Sequence, residues 1–210
     1  MIPYGFFLSK HLVYMMTLKI CTLFCFLWVA MRSTPVSLTG NHPGNKLKII
    51  ATQVKPFIQS RHFNSSVCFL IDLSENSGRN RFFVFDLQKD SVVDKGLVTH
   101  GSCNTLFQSE VKFSNKSGCG CSSSGRYKVG NRYNGRFGAA YKLIGLDSSN
   151  SRAYDRAIVL HAHSCVPDKE SYPTQICNSQ GCTTVSPGFL KKISTLINNS
   201  EKPILMWVFQ

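Results

Sequence analysis

A chain of 210 residues with 43% hydrophobic and 17% charged residues has the balance of a globular protein, which excludes an intrinsically disordered chain. A net charge of +13 suits an anionic partner: nucleic acid, a membrane surface or an anionic wall polymer. The basic residues are scattered and no Lys/Arg-rich run interleaves with aromatics, which argues against nucleic acid.

The first recognisable segment spans residues 1–32. Lys19 precedes twelve uncharged residues, Ile20 to Met31, and Arg32 follows. That length fits the apolar region of a secretory signal and falls short of the roughly twenty residues a spanning helix needs. No small-x-small cleavage pattern follows, so both a signal peptide and an uncleaved membrane anchor stay open. Either predicts an exported protein of the periplasm or cell envelope. Pro35, Gly40, Pro43 and Gly44 mark residues 33–45 as a linker. The single domain expected after it covers residues 46–210.

Residues 46–59 suit a short helix or a strand equally. Strand signals then recur at 67–73, 81–87, 92–99, 125–129, 137–146 and 156–161. Each is short, rich in β-branched and aromatic residues, and bounded by Asn, Ser, Gly or Asp. Residues 114–125 form a Gly/Ser-rich loop. Late in the chain Ser186-Pro187 provides an N-cap and a proline at the first helical position. Phe189, Leu190, Ile193, Leu196 and Ile197 follow on one face, and the helix is expected to stop near Asn198-Asn199. A last strand occupies 203–209. The expected fold is mainly β, a sandwich or barrel-like sheet with one late helix.

Chemistry concentrates between residues 156 and 185. An apolar run carries His161 to a strand end, and Ser179-Gln180-Gly181-Cys182 follows about twenty residues later. A thiol needs a base to become a nucleophile, and a histidine serves if the fold joins the two. A glycine before the cysteine lets backbone N–H groups approach a reacting carbonyl. His163 is the alternate base. His161, His163 and Cys165 also suggest a metal, but three ligands within five residues and no second cluster argue against one.

Of nine cysteines, Cys21 and Cys25 lie in the apolar N-terminal segment and Cys182 in the motif. The other six allow fifteen full pairings in an exported chain. Cys165 with Cys177 is the first pairing expected, because they bracket the loop between His161 and Cys182. Cys68, inside an apolar run, reads as a buried free thiol.

Several ordered motifs resemble the murein L,D-transpeptidases with a YkuD-like catalytic domain. The likeness runs from about Lys46 to the C-terminus. It passes through FLIDLSENSGRNRFFVFDL, VTHGS, FSN, SSSGRYKVG, YNGRFGAAYKLIGLDSSN, RAIVLH and SQGC. It implies a β-sandwich catalytic domain acting on peptidoglycan stem peptides through a thioester, with no cofactor. Cross-links are then formed or remodelled. The alternatives are an L,D-carboxypeptidase that releases the acyl group to water and a catalytically silent wall-binding protein of the same fold. Carried over, the nucleophile falls on Cys182, the base on His161, and the motif backbone expected to form the oxyanion hole on Ser179 and Gly181.

Two departures stand out. Ala162 replaces the glycine often found after the histidine, and Thr183-Thr184-Val185 replaces the usual residues after the cysteine. The second leaves the recognition of substrate carboxylate to other positions, for which Arg156, Arg126, Ser124 and Tyr127 are the candidates. Arg156 reads equally well as a salt-bridged strand residue. Papain-like enzymes place cysteine before histidine, and sortase-like enzymes carry an arginine after the cysteine; this chain does neither.

Overall fold

A computed structural model describes residues 43–210. The export segment and residues 33–42 of the expected linker lie outside the described residues. Ten elements follow in chain order. They are α1 (Pro43–Ser60), β1 (Val67–Asp72), β2 (Phe82–Asp86), β3 (Ser91–Gly96), β4 (Gly125–Gly135) and β5 (Gly138–Gly145). Then come β6 (Val159–Ala162), β7 (Thr183–Val185), α2 (Pro187–Asn198) and β8 (Leu205–Phe209).

The strands form one eight-stranded sheet in the order β3-β2-β1-β8-β4-β5-β6-β7. The pairs β1–β8 and β6–β7 are parallel and the rest antiparallel. Chain beyond β3 then returns to the opposite end of the sheet. Val98 bridges Val185 of β7, and Thr99 N–H donates to Thr184 O at 2.9 Å. This joins the two sheet ends and satisfies backbone groups that an open edge would leave unpaired. The barrel-like expectation therefore agrees with the structure.

β1 is buried on both faces, which explains its unbroken apolar run. Phe69 and Ile71 face the interior with Phe82, Val84, Met206 and Val208. Cys68 and Leu70 face outward beneath α1 with Phe83, Phe85, Leu205 and Phe209. Cys68 is a buried free thiol, as expected, and burial pushes it up to about 12.

The open assignment at 46–59 resolves as helix, so the domain holds two helices rather than one late helix. Leu47, Ala51, Val54 and Ile58 are spaced four, three and four apart and are all buried. Pro56 inside the helix removes a backbone bond and costs ~3 kcal/mol. Burying Leu47, Val54 and Ile58 offsets this at ~1.5–3 kcal/mol each. Lys46 anchors the first turn to Asp72 at 2.8 Å. The helix begins at Pro43, so the last three residues read as linker belong to it.

α2 starts as the sequence predicts. Ser186 Oγ accepts from Phe189 N–H at 3.1 Å, and the same hydroxyl donates to Asp168. Phe189, Leu190 and Ile193 plug the interior, with Phe189 edge-on to Phe82. Three expected strands differ in extent: the one at 125–129 runs on to Gly135, the one at 92–99 stops at Gly96, and the one at 156–161 starts late. Arg156 and Ala157 belong to a turn, with Ala157 at φ 54°, and β6 begins at Val159.

Candidate active site

The parallel pairing of β6 with β7 brings the two halves of the motif together. His161 lies opposite Thr184, and Leu160 opposite Thr183. Cys182 precedes β7 by one residue, so it shares a face with Thr184. Cys182, Thr184, His161 and His163 line one cleft of about 250 Å3, with Phe137, Thr99, Asn178 and Gln180 completing its walls.

His161 is 8% exposed. Its Nδ1 lies 3.0 Å from Ala162 O, and its Nε2 lies 3.0 Å from Thr184 Oγ1. A carbonyl only accepts, so Nδ1 carries the hydrogen and Nε2 holds the lone pair; the Thr184 hydroxyl donates to it. The ring stacks on Phe137 with centroids 5.3 Å apart and an interplanar angle of 16°. Burial lowers the His161 pKa below its ordinary 6.5; the bond to Ala162 O opposes this, and nearby His163 adds to it.

His163 meets Phe137 edge-on at 5.1 Å. Its Nδ1 accepts from Cys165 N–H at 3.1 Å, which leaves any proton of the neutral ring on Nε2. In this arrangement neither ring nitrogen of His163 has a free lone pair. His161 is thus the one whose lone pair faces a side chain of the cleft.

The Cys182 thiol donates to Ala157 O at 3.7 Å and makes no hydrogen bond to either imidazole. Burial raises its pKa; Val159 N–H and the Arg156 guanidinium pull it back only in part. The thiol therefore rests in its neutral form.

Ser179 and Gly181 build the turn that presents this sulfur. Ser179 Oγ donates to Cys182 O at 2.7 Å and accepts from Gly181 N–H at 3.1 Å. Gly181 has φ +101°, and a Cβ there would sit 2.6 Å from Cys121 O. Only glycine fits so close to that carbonyl. The turn leans on a second layer: Ser102 N–H donates to Ser179 O at 2.8 Å, and Ser179 N–H to His100 O at 2.9 Å.

That layer rests on a buried pair invisible to sequence reading. Arg81, 1% exposed, donates from Nη2 to His100 Nδ1 at 2.9 Å and from Nε to Val98 O at 2.9 Å. His100 Nε2–H then donates to Gln108 O at 2.8 Å. Burial, reinforced by the Arg81 charge, pushes His100 down to about 4. His100 supports the site from behind and does not line the cleft.

None of the four expected substrate-binding residues lines the cleft. Arg126 is paired with Asp147 and lies over Phe57 at 4.2 Å. Tyr127 is 2% exposed, its hydroxyl donating to Ser123 O at 2.7 Å. Ser124 offers its carbonyl to Ser149 Oγ at 2.8 Å. Arg156 holds the 114–123 loop through Ser114 O at 2.7 Å, Cys121 O at 2.6 Å, Cys119 Sγ at 3.3 Å and Ser123 Oγ. Its fork is filled by carbonyls that sequence spacing cannot reveal. Phe137, Thr184, Gln180 and Asn178 take the wall positions instead; the last three lie next to the motif in sequence, whereas nothing in the sequence singled out Phe137.

Two disulfides brace the surrounding loops. Cys165–Cys177 forms as expected, and Cys103–Cys121 ties the 101–104 segment to the floor beneath Gly181. Cys119 stays free, its thiol pKa lowered overall against burial by Cys121 N–H, Ser114 and Arg156.

No curated protein matches the chain. Among solved structures, the Ldtfm–avibactam carbamoyl enzyme shares 13% identity over 69% of this chain and 49% of its own, with a TM-score of 0.42. The helical cell shape determining protein Pgp2 from Campylobacter jejuni shares 11% over 69% and 48%, with a TM-score of 0.43. An L,D-transpeptidase from Mycobacterium smegmatis shares 12% over 69% and 59%, with a TM-score of 0.38. The chain thus spans about half the length of the first two. The L,D-transpeptidase catalytic domain matches residues 42–207, nearly the whole of the described region, and the chain belongs to that family.

Proposed function

We propose that this chain is an exported cysteine L,D-transpeptidase that acts on peptidoglycan stem peptides through a thioester. The observation that carries this reading is the convergence of Cys182 and His161 in one cleft through the β6–β7 register. His161 Nε2 takes the thiol proton, and the thiolate attacks the carbonyl before the terminal D-residue of the stem. Gly181 N–H is committed to Ser179 Oγ, so the oxyanion is assigned to Cys182 N–H. The imidazolium returns its proton to the departing D-amino acid. An amine of a second stem then attacks the thioester: the C–N bond of the amide forms, the C–S bond breaks to release the thiolate, and the amine's proton passes to His161 Nε2. Water in place of that amine gives carboxypeptidation.

The apolar segment from Ile20 to Met31 supports export to the periplasm or cell envelope, as a signal or an anchor. The basic surface would gather anionic wall polymer by long-range attraction.

A silent, stem-binding role draws on one observation: the neutral thiol has no hydrogen bond to His161. Incubating the protein with a disaccharide-tetrapeptide and following mass separates the two. Loss of the terminal D-residue with an adduct on the protein, absent from Cys182→Ala, is expected. Equal activity in Cys182→Ala overturns the proposal, and retained stem binding with no adduct selects the silent role.

A further inference from the structure

We infer that Thr184 is a positioning residue that latches the base: its hydroxyl holds the His161 Nε2 lone pair and keeps Cys182 protonated until that bond is released. The inference rests on the proposed roles of Cys182 and His161 and adds a step to them. Three contacts carry it. Nδ1 of His161 is fixed by Ala162 O at 3.0 Å, so only Nε2 can accept a proton. That nitrogen already accepts from Thr184 Oγ1 at 3.0 Å. The thiol meanwhile donates to Ala157 O at 3.7 Å rather than to the imidazole.

The latch is built into the strand pairing. Thr184 is 3% exposed, and its backbone carbonyl accepts from Thr99 N–H, so the residue itself is held fast. Its position opposite His161 follows from the β6–β7 register, and its position beside Cys182 follows from strand alternation. Release needs the Thr184 hydroxyl to turn away and the thiol to leave Ala157 O for Nε2. Nε2 then receives the proton that leaves Cys182 Sγ: the S–H bond breaks, the N–H bond forms, and a thiolate–imidazolium pair results.

Other charges at the site are accounted for. His163 stands beside His161 on the same strand end, and the Arg136 guanidinium lies 5.6 Å from the Phe137 ring that stacks on His161. Arg156 acts on the thiol through its charge. None of them bonds to Nε2, so among the described residues Thr184 caps the lone pair.

The test is the rate of iodoacetamide alkylation of Cys182 against pH in the full chain. Thr184→Val keeps the β-branched shape and removes the donor; Thr184→Ser restores it. Freeing Nε2 is expected to raise the alkylation rate at pH 7 roughly fivefold to tenfold and to lower the apparent thiol pKa in the valine variant. The serine variant should follow the parent. A valine variant that matches the parent, or reacts more slowly because the hydroxyl relays the proton, overturns the latch. His161→Ala supplies the control. If it leaves the profile unchanged, the base assignment fails and the latch with it; if it flattens the profile while valine has no effect, the latch alone fails.

Discussion

At the residue scale, the two histidines of the HAH segment look equivalent in sequence and differ in their hydrogen bonds. His161 keeps a lone pair on the nitrogen that faces Thr184, whereas the Nδ1 of His163 is spent on Cys165 N–H. A general base contributes about 10²–10⁴ in rate. His161→Ala should therefore lose acylation by roughly that factor, while His163→Ala should cost less than about tenfold. Single-turnover acylation of the two variants measures this, and equal losses would refute the assignment. Because burial holds the His161 pKa below 6.5, its neutral, basic form persists below that pH. Cys182 and His161, the residues proposed as nucleophile and base, were legible as a pair because they sit in short local motifs. The expected carboxylate clamp was not: Arg156 and Arg126 are held by partners 21 to 42 residues away, which no spacing encodes.

At the element scale, strands announced themselves wherever β-branched and aromatic residues ran between turn residues. Two elements stayed hidden for physical reasons. The three residues of β7 are too few to show a period, and they are ordered by β6 and Val98 on either side. α1 has a regular apolar spacing, but Pro56 interrupts the pattern and the favourable burial comes from β1, β2 and β8. The loops between elements depend on cross-links instead. Cys103–Cys121 closes 18 residues and places Cys121 O under Gly181, while Cys165–Cys177 closes 12 beside the cleft. A disulfide of such loop length stabilises by ~2–4 kcal/mol. Cys103→Ser with Cys121→Ser should lower the unfolding free energy by about that amount. It should also slow acylation, because the floor of the nucleophile turn loosens. Urea titration and acylation rate together check this, and a variant with lowered stability but parental acylation would show that the bridge does not position the turn.

For the whole molecule, closure of the sheet depends on the segment that runs from β3 to β7, and that segment is held by a buried cation and a buried imidazole. Nothing in the sequence sets Arg81 apart from the other basic residues; in the fold it is buried, donating to Val98 O, Glu75 O and His100 Nδ1. The arrangement requires neutral His100, since a protonated Nδ1 would point a hydrogen at the guanidinium. The sign follows directly. His100 titrates near 6.5 when unfolded and at about 4 when folded, so between those values the unfolded chain binds more protons. The contribution is therefore fully present above pH 6.5 and is lost as the pH falls toward 4. At 1.36 kcal/mol per unit, the loss is on the order of 3 kcal/mol. Urea unfolding from pH 7.5 to 4 should show this decline. His100→Gln can still accept from Arg81 and donate to Gln108 O without titrating, so its curve should be nearly flat across that window. A parent-like slope in the glutamine variant would place the acid sensitivity in another group and remove the Arg81–His100 pair as the clasp of the sheet.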